Sequence, residues 1–166
     1  NYRESSKQFL QYLEALLTVN ITPISLTKRL EFTLDSVDFI IDPPKKRVYE
    51  KDNNYSLVVS VRHGENSFLF TGDAMAERLT ELLNDSSLDL QHTFLKVPHH
   101  GALHECSEAF FQAVNPKYAV ITSSDKKPAS EEVVELLEEL GTEISFTKDG
   151  DIIYESDGEG ISITWE

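Results

Sequence analysis

The segment Ser67-Phe68-Leu69-Phe70-Thr71-Gly72-Asp73 sets the architecture of the chain. An apolar run typical of a buried strand ends here in a turn glycine and a carboxylate. A second run, Thr93-Phe94-Leu95-Lys96-Val97, ends in the same way at Pro98-His99-His100-Gly101. Two strands that stop at a carboxylate and at imidazoles can bring oxygen and nitrogen ligands to one edge of a sheet. Such a ligand set suits Zn²⁺, Mn²⁺ or Fe, so the sequence predicts a metal site.

Strands and helices alternate on both sides of these two runs. The pattern predicts a helix from about Ser6 to Val19, with Ser5 and Gln8 as a capping box. Further helices are predicted after Asp73 and from Ser107 and Ser130. Strands are predicted at 37–41, 57–62, 67–71, 93–97, 118–122, 143–147, 152–155 and 161–165. Residues 63–66 have the composition of a tight turn and join two strands into a hairpin. This order predicts a layered α/β fold with antiparallel pairs at both ends, formed as one domain over residues 1–166.

The composition limits the class of protein. With 166 residues, 40% of them hydrophobic, the chain can bury one substantial core. No run of eighteen apolar residues exists, so the sequence predicts no membrane-spanning segment. The lone Cys106 excludes an internal disulfide. Because the sequence begins at Asn1 rather than Met, we interpret it as a processed or excised chain.

The formal charge of −14 is concentrated near the end of the chain, where eleven acidic residues between Glu131 and Glu159 face only Lys148. Proteins that bind nucleic acids usually carry basic surface that neutralises phosphates. The charge therefore argues against direct nucleic-acid binding by this chain. Work on a polyanion would need a metal centre or a basic partner to offset the repulsion.

Each half of the predicted site also has a purely structural interpretation. Gly72-Asp73 is a common turn and helix cap, and a histidine pair can simply end a strand. The two together, 26 residues apart, favour a metal site, with His99 or His100 as the imidazole ligand. His104 could line the mouth of this site or be a polar loop residue. Lys126 and Lys127, in a polar loop after a strand, could hold a phosphate of the substrate or simply be solvated.

Four other positions are expected to be structural. His63 lies in the predicted hairpin turn and His92 precedes a strand, so both are predicted to lie at the surface. Cys106 is expected to be a small apolar filler before a helix, since no orienting base is evident for a thiol nucleophile. Asn53 and Asn54 are expected to form a turn ahead of a strand.

An ordered set of segments resembles the metallo-β-lactamase superfamily, and within it the ComEC-type domain of competence DNA-uptake proteins. The segments that carry the resemblance are 54–58, 68–74, 95–101, 107–111, 115–121 and 128–133. They cover most of the chain from about Val37 to Lys148. The resemblance implies a four-layer αββα sandwich with two metal ions at one edge in the complete domain. It further implies that Asp73 bridges the metals and that His100 is a terminal ligand, with His99 as the fallback or an outer-shell contact.

The chain also departs from that family. The family's first motif, His-x-His-x-Asp-His or a ComEC-type variant, is absent, because the five histidines stand at 63, 92, 99, 100 and 104. We therefore expect a partial domain that corresponds to the second half of the sandwich, completed by a missing N-terminal half or a partner chain. The sequence Lys126-Lys127-Pro128 stands where the branch usually has Gly-His-Pro, and Ala102 stands where Ser often follows His-His-Gly.

Two functions follow as hypotheses. The first is a metal-dependent hydrolase that cleaves a phosphodiester or another small-molecule ester with a metal-activated water, inactive as the isolated chain. Zinc is the expected metal, with manganese or iron as alternatives. The second is a non-catalytic, degenerate interaction module of the same fold. We expect a soluble chain, cytoplasmic if it is free-standing and extracytoplasmic if it belongs to a ComEC-type protein.

Overall fold

Four helices and nine strands make up the computed structural model, which describes residues 7–166. The helices are α1 Lys7–Thr18, α2 Ala76–Leu83, α3 Ser107–Val114 and α4 Glu131–Glu139, and the strands are β1 Leu30–Leu34, β2 Val37–Asp42, β3 Val58–His63, β4 Asn66–Phe70, β5 Phe94–Lys96, β6 Tyr118–Ile121, β7 Glu143–Phe146, β8 Ile152–Ser156 and β9 Ile161–Trp165. These elements confirm the predicted α/β class. The predicted capping box at Ser5 lies outside the described residues. Strand β1 is an element that the sequence reasoning missed.

Strands β1 to β7 form one mixed sheet in which neighbours in the chain are neighbours in space. The first four strands pair antiparallel, and β4 to β7 pair parallel. The antiparallel pairs predicted for the first part of the chain are present. At the other end, β7 pairs in parallel with β6, and among the described strands the antiparallel pair there is the separate β8–β9 hairpin. Because β4, β5 and β6 run parallel, their carboxyl ends meet at one edge, which we call the site edge.

Helices α2, α3 and α4 cover one face of the sheet. Leu69, Leu95 and Ala119 stand in register on adjacent strands and are fully buried beneath these helices. Phe110 from α3 and Leu137 from α4 complete the same cluster. Each such leucine contributes about 1.5–3 kcal/mol of burial free energy. The parallel strands that carry the site edge are thus anchored in the main hydrophobic core.

The β8–β9 hairpin covers part of the opposite face. Tyr154 meets Phe94 edge-on with ring centroids 4.8 Å apart, and Ile161 and Ile163 pack beside it. Farther along the sheet the apolar side chains of β1 are exposed, and Phe32 there stacks on Phe39 of β2. Helix α1 has no buried residue. No helix among residues 7–166 has the length and apolar character needed to cross a bilayer.

Candidate functional site

The ends of β4 and β5 are tied together at the site edge. Phe70 pairs with Lys96 in the parallel register, so the turns that follow both strands start side by side. The Thr71 hydroxyl donates to the carbonyl oxygen of Lys96 at 2.8 Å. Gly72 takes a left-handed φ of 56°, which a glycine adopts without a steric penalty. The carbonyl oxygen of Gly72 accepts a hydrogen bond from the His99 N–H. These bonds place the carboxylate turn and the histidine turn in contact.

Asp73 and His100 meet between these two turns. The Oδ2 atom of Asp73 lies 3.4 Å from the Nε2 atom of His100. Both side chains are partly exposed, at 40% and 53% of their full surface, so an ion or a substrate can reach them. Asp73 and His100, two of the three ligands that the sequence predicted, therefore lie close enough to share one cation.

The other ring nitrogen of His100 fixes which tautomer faces Asp73. His100 Nδ1 lies 2.7 Å from the Thr122 carbonyl oxygen, and because a carbonyl can only accept, Nδ1 carries a proton. In the neutral imidazole the lone pair of Nε2 then points at a carboxylate oxygen. Two acceptors at this distance need a cation or a proton between them. Backbone carbonyl contacts of this kind are common behind metal-bound histidines.

The backbone of the histidine turn is strained. His99 and His100 have φ values of 46° and 58°, and Gly101 follows at 78°. Side-chain-bearing residues in this region cost about 1–3 kcal/mol each, and such residues cluster at functional sites. The turn is held by α4, since the Ser130 N–H donates to the Gly101 carbonyl oxygen at 2.9 Å. Packing thus holds His100 in a conformation that it would not adopt in isolation.

His99 turns toward His104 rather than toward Asp73. His99 Nδ1 lies 3.3 Å from His104 Nε2, and the two rings are inclined by only 7°. Burial lowers the pKa of His104, and the neighbouring His99 acts in the same direction. Within the described part of the chain, His99 makes no ion pair with Asp73, so of the two histidines His100 is the one that faces the carboxylate.

Lys96 is a site residue that the sequence reasoning missed. Its Nζ donates to the Gly72 carbonyl oxygen at 2.7 Å and lies 3.6 Å from Asp73 Oδ1. Burial lowers the pKa of this lysine, while the Asp73 carboxylate opposes that shift. The signal in the sequence was a cation inside an otherwise apolar strand, directly before the histidine turn.

Lys126 and Lys127 lie in the loop after β6, which is the strand that leads to Thr122. The loop is closed by two backbone hydrogen bonds between Ser124 and Lys127, at 3.0 and 3.2 Å. Both lysine side chains are exposed and make no ion pair among the described residues. The structure therefore places them at the site edge without bringing them into contact with Asp73 or His100.

The prediction that His92 lies at the surface was wrong, and His63, which was also predicted there, is only partly exposed. His92 is buried, with Nδ1 donating to the Leu90 carbonyl oxygen at 2.9 Å and Nε2 2.6 Å from the Ser60 hydroxyl. His63 is half-buried because its Nδ1 lies 3.1 Å from the Ser156 hydroxyl of the β8–β9 hairpin. In both cases a partner distant in sequence covers the ring.

Asn54 and Cys106 have the structural roles that were expected. Asn54 is buried in a 3₁₀ turn at Asp52–Tyr55, and its Oδ1 accepts from the N–H groups of Met75 and Arg78 at the start of α2. The Cys106 thiol lies against the Ala76 carbonyl oxygen, and burial raises its pKa. A thiol with a raised pKa is a poor nucleophile at neutral pH.

The donor set fits a metal ion as two of its ligands. Ligands of a tetrahedral zinc ion stand about 2.0–2.1 Å from the metal and therefore about 3.4 Å from each other. The separation between Asp73 Oδ2 and His100 Nε2 has this value. Across residues 7–166, however, no group of three or more His, Cys, Asp and Glu side chains is arranged to hold a metal. Further ligands would have to come from water, from the substrate or from outside the described residues.

Comparisons with known proteins give partial matches. The chain matches no protein-family profile. It is 41% identical over 75 residues to the uncharacterized protein YcaI of Escherichia coli K12, a match that covers 45% of the chain and 10% of that protein. It is 35% identical over 89 residues to competence protein ComA of Neisseria gonorrhoeae, covering 54% of the chain and 13% of the relative. It is also 37% identical over 71 residues to ComE operon protein 3 of Bacillus subtilis, a match that covers 43% of the chain and 9% of that relative.

These matches reach only 9–13% of the length of the curated relatives. One of these relatives is named a competence protein and another a ComE operon protein. Over about half of its length the chain is therefore similar to competence proteins, which is consistent with a ComEC-type family.

Proposed function

We propose that the chain supplies the Asp73–His100 edge of a metal-dependent hydrolase with the metallo-β-lactamase fold. The observation that carries the proposal is the 3.4 Å approach of Asp73 Oδ2 to His100 Nε2, with the opposite nitrogen of His100 held by Thr122. The substrate we propose is an ester, and a phosphodiester in the first place. The resemblance to the ComEC-type domain of competence DNA-uptake proteins supports a phosphodiester, and one of the relatives is named a competence protein.

The described residues have distinct parts in this reaction. A bound divalent metal would lower the pKa of a water to about 7 and polarise the substrate oxygen. Thr122 holds the His100 ring and keeps the lone pair of Nε2 directed toward the site. Asp73 supplies negative charge, and its backbone N–H is anchored to the Ser56 hydroxyl at 3.2 Å. This bond holds the backbone from which the carboxylate projects.

The remaining ligands would come from another part of a longer protein or from a partner chain. Three features support this part of the proposal. Residues 7–166 bring two ligands together rather than three. The matched segments make up about a tenth of the relatives. Strand β1 exposes Leu30, Phe32 and Leu34, which is apolar surface that a further layer would bury.

The second candidate is a non-catalytic module of the same fold. It is favoured by one specific observation, the Lys96 ammonium that lies 3.6 Å from Asp73 Oδ1. A lysine in this position can neutralise the carboxylate without a metal. The fold would then serve binding alone, and the histidine turn would be a remnant.

Metal content and hydrolysis separate the two candidates. We would measure bound metal by elemental analysis and hydrolysis of bis(p-nitrophenyl) phosphate, using the full natural protein that contains this chain. Asp73→Asn and His100→Gln should each abolish turnover and lower the metal content. Asp89→Asn is the matched control, because Asp89 forms an exposed ion pair with Arg62 away from the site edge. A metal-free wild-type protein without turnover would establish the non-catalytic module instead.

A further inference from the structure

A small cavity lies between the loop after β6, the start of α4 and the end of β7. Its volume is about 270 Å³, and Ser123, Ala129 and Phe146 are among the residues that line it. Ala129 also packs against the histidine turn, because a Cβ added to Gly101 would lie 2.7 Å from the Ala129 Cβ. Cavities for drug-sized ligands are usually larger than this. The volume suits one long side chain.

Ser123 brings a hydroxyl group without a partner to this cavity. Its oxygen is buried and has no hydrogen-bond partner within residues 7–166. Buried polar groups in native proteins are nearly always paired, so an exception of this kind indicates that a partner is missing. A hydroxyl oxygen can accept a hydrogen bond from an N–H group that enters the cavity.

The lining also carries two carboxylates and an aromatic ring. Glu131 and Glu135 lie four residues apart and therefore on the same face of α4. Both are exposed, and neither forms an ion pair in the described part of the chain. The Phe146 ring already attracts one cation, because the Lys148 Nζ lies 5.7 Å from its centroid. That ammonium is held at 2.7 Å by Asp149, so it leaves the two glutamates uncompensated.

We infer that this cavity is a docking site for an arginine side chain of a basic protein partner. The guanidinium group is planar, stacks on aromatic faces and donates several hydrogen bonds in a fixed geometry. It can therefore contact the ring, a carboxylate and the hydroxyl group together. The ammonium group of a lysine has no flat face to place on the ring. This docking site goes beyond the proposed function, because it requires neither a metal nor a substrate.

The charge of the chain favours a basic protein as the occupant. Eleven acidic residues between Glu131 and Glu159 face only Lys148, and such a surface attracts cationic partners and repels polyanions. Arginine is enriched at protein interfaces, where it often fills a pocket as an anchor. The Ser130 N–H donates to the Gly101 carbonyl oxygen at 2.9 Å, so a partner docked here would bring its positive charge beside the histidine turn.

A nuclear magnetic resonance titration of the ¹⁵N-labelled 166-residue chain with the peptide acetyl-Gly-Arg-Gly-amide tests this assignment. We expect the amide signals of the cavity residues to shift, with a dissociation constant on the order of 1 mM for a single anchoring side chain. The corresponding lysine peptide should bind about fivefold more weakly. The citrulline peptide has nearly the same shape without the charge and should bind about tenfold more weakly.

Matched variants separate the cavity from the general acidity of α4. Ser123→Ala removes the hydroxyl acceptor and should weaken binding of the arginine peptide about tenfold. The double variant Glu131→Gln/Glu135→Gln should weaken it about tenfold as well. Glu138→Gln/Glu139→Gln makes the same charge change on the same helix, away from the cavity lining, and should stay within about twofold of the wild type. Circular dichroism checks that each variant is folded.

Several results would overturn the assignment. Equal binding of the arginine and lysine peptides, or equal losses in the two double variants, would reduce it to a general attraction between charges. Unchanged binding in Ser123→Ala would remove the role given to the buried hydroxyl and overturn it too. Tighter binding of free L-arginine than of the peptide would make the cavity a small-molecule site instead of a docking site. Each of these outcomes leaves the proposed function untouched, because no variant alters Asp73 or His100.

Discussion

Asn54 holds the start of α2, the helix that follows the carboxylate turn, and replacing it by alanine should weaken the fold measurably. Its Oδ1 accepts from the N–H of Met75 at 3.1 Å and from the N–H of Arg78 at 3.2 Å. Losing a helix N-cap costs about 0.5–2 kcal/mol. A buried N–H left without a partner costs about 1–3 kcal/mol. We therefore expect Asn54→Ala to lower the free energy of unfolding by about 2–4 kcal/mol.

Urea denaturation followed by circular dichroism measures this loss. Asn53→Ala is the matched control, because this neighbouring asparagine is less buried and its side chain caps no helix. It should change the free energy of unfolding by less than about 0.5 kcal/mol. A loss below about 0.5 kcal/mol for Asn54→Ala, or equal losses for both variants, would refute the capping argument. Met75 lies two residues after Asp73, so the same variant should loosen the carboxylate turn.

Two further predictions concern the histidine turn and the buried histidine. Gly101→Ala should destabilise the fold by about 2–3 kcal/mol in urea denaturation, because its Cβ would lie 2.7 Å from the Ala129 Cβ at a φ of 78°. Gly141→Ala, at a φ of 75° with open space around it, should cost only about 1 kcal/mol, and equal losses would contradict the packing argument. Burial lowers the pKa of His92, with Arg62 acting in the same direction and Asp89 against it. The unfolded chain therefore binds a proton that the folded chain does not. Stability should fall below about pH 6.5 by up to about 1.4 kcal/mol per pH unit relative to His92→Gln, and parallel pH profiles of the two proteins would refute this.

The strand ends were predictable because their signals are local. Runs of apolar residues that stop at Gly72-Asp73 and at the histidine turn predict two buried strands with polar ends. Parallel pairing of β4 with β5 then brings the two ends together, as the structure has it. The missed strand β1 has an alternating pattern, Leu30-Glu31-Phe32-Thr33-Leu34, but both its faces are exposed. The alternation is a strand signal that the sequence analysis did not use, and in the structure the apolar face that it predicts is exposed.

The missed and mistaken residues depend on contacts between distant parts of the chain. His92 is buried because Ser60, 32 residues away, lies opposite its ring. Lys96 could be seen as an odd cation in an apolar strand, but its place beside Asp73 depends on the parallel register. The sequence around Lys96 alone does not show which residues of β4 pair with β5. A single sequence therefore shows the polar residues at strand ends more readily than the charges that surround them.

The local charge of the site differs from that of the whole chain, and this bears on the substrate. The formal charge is −14, yet its densest acidic run, 131–159, belongs to α4 and the strands after it. At the carboxyl ends of β5 and β6 the chain instead places Lys96, the histidine turn and the Lys126–Lys127 loop. Asp73 is a single carboxylate with a cationic or protonatable group at each oxygen. Screened charges act mainly over about 10 Å, so these cations would act on the phosphodiester substrate proposed above, against the acidic Asp125 and Glu131 that flank the loop.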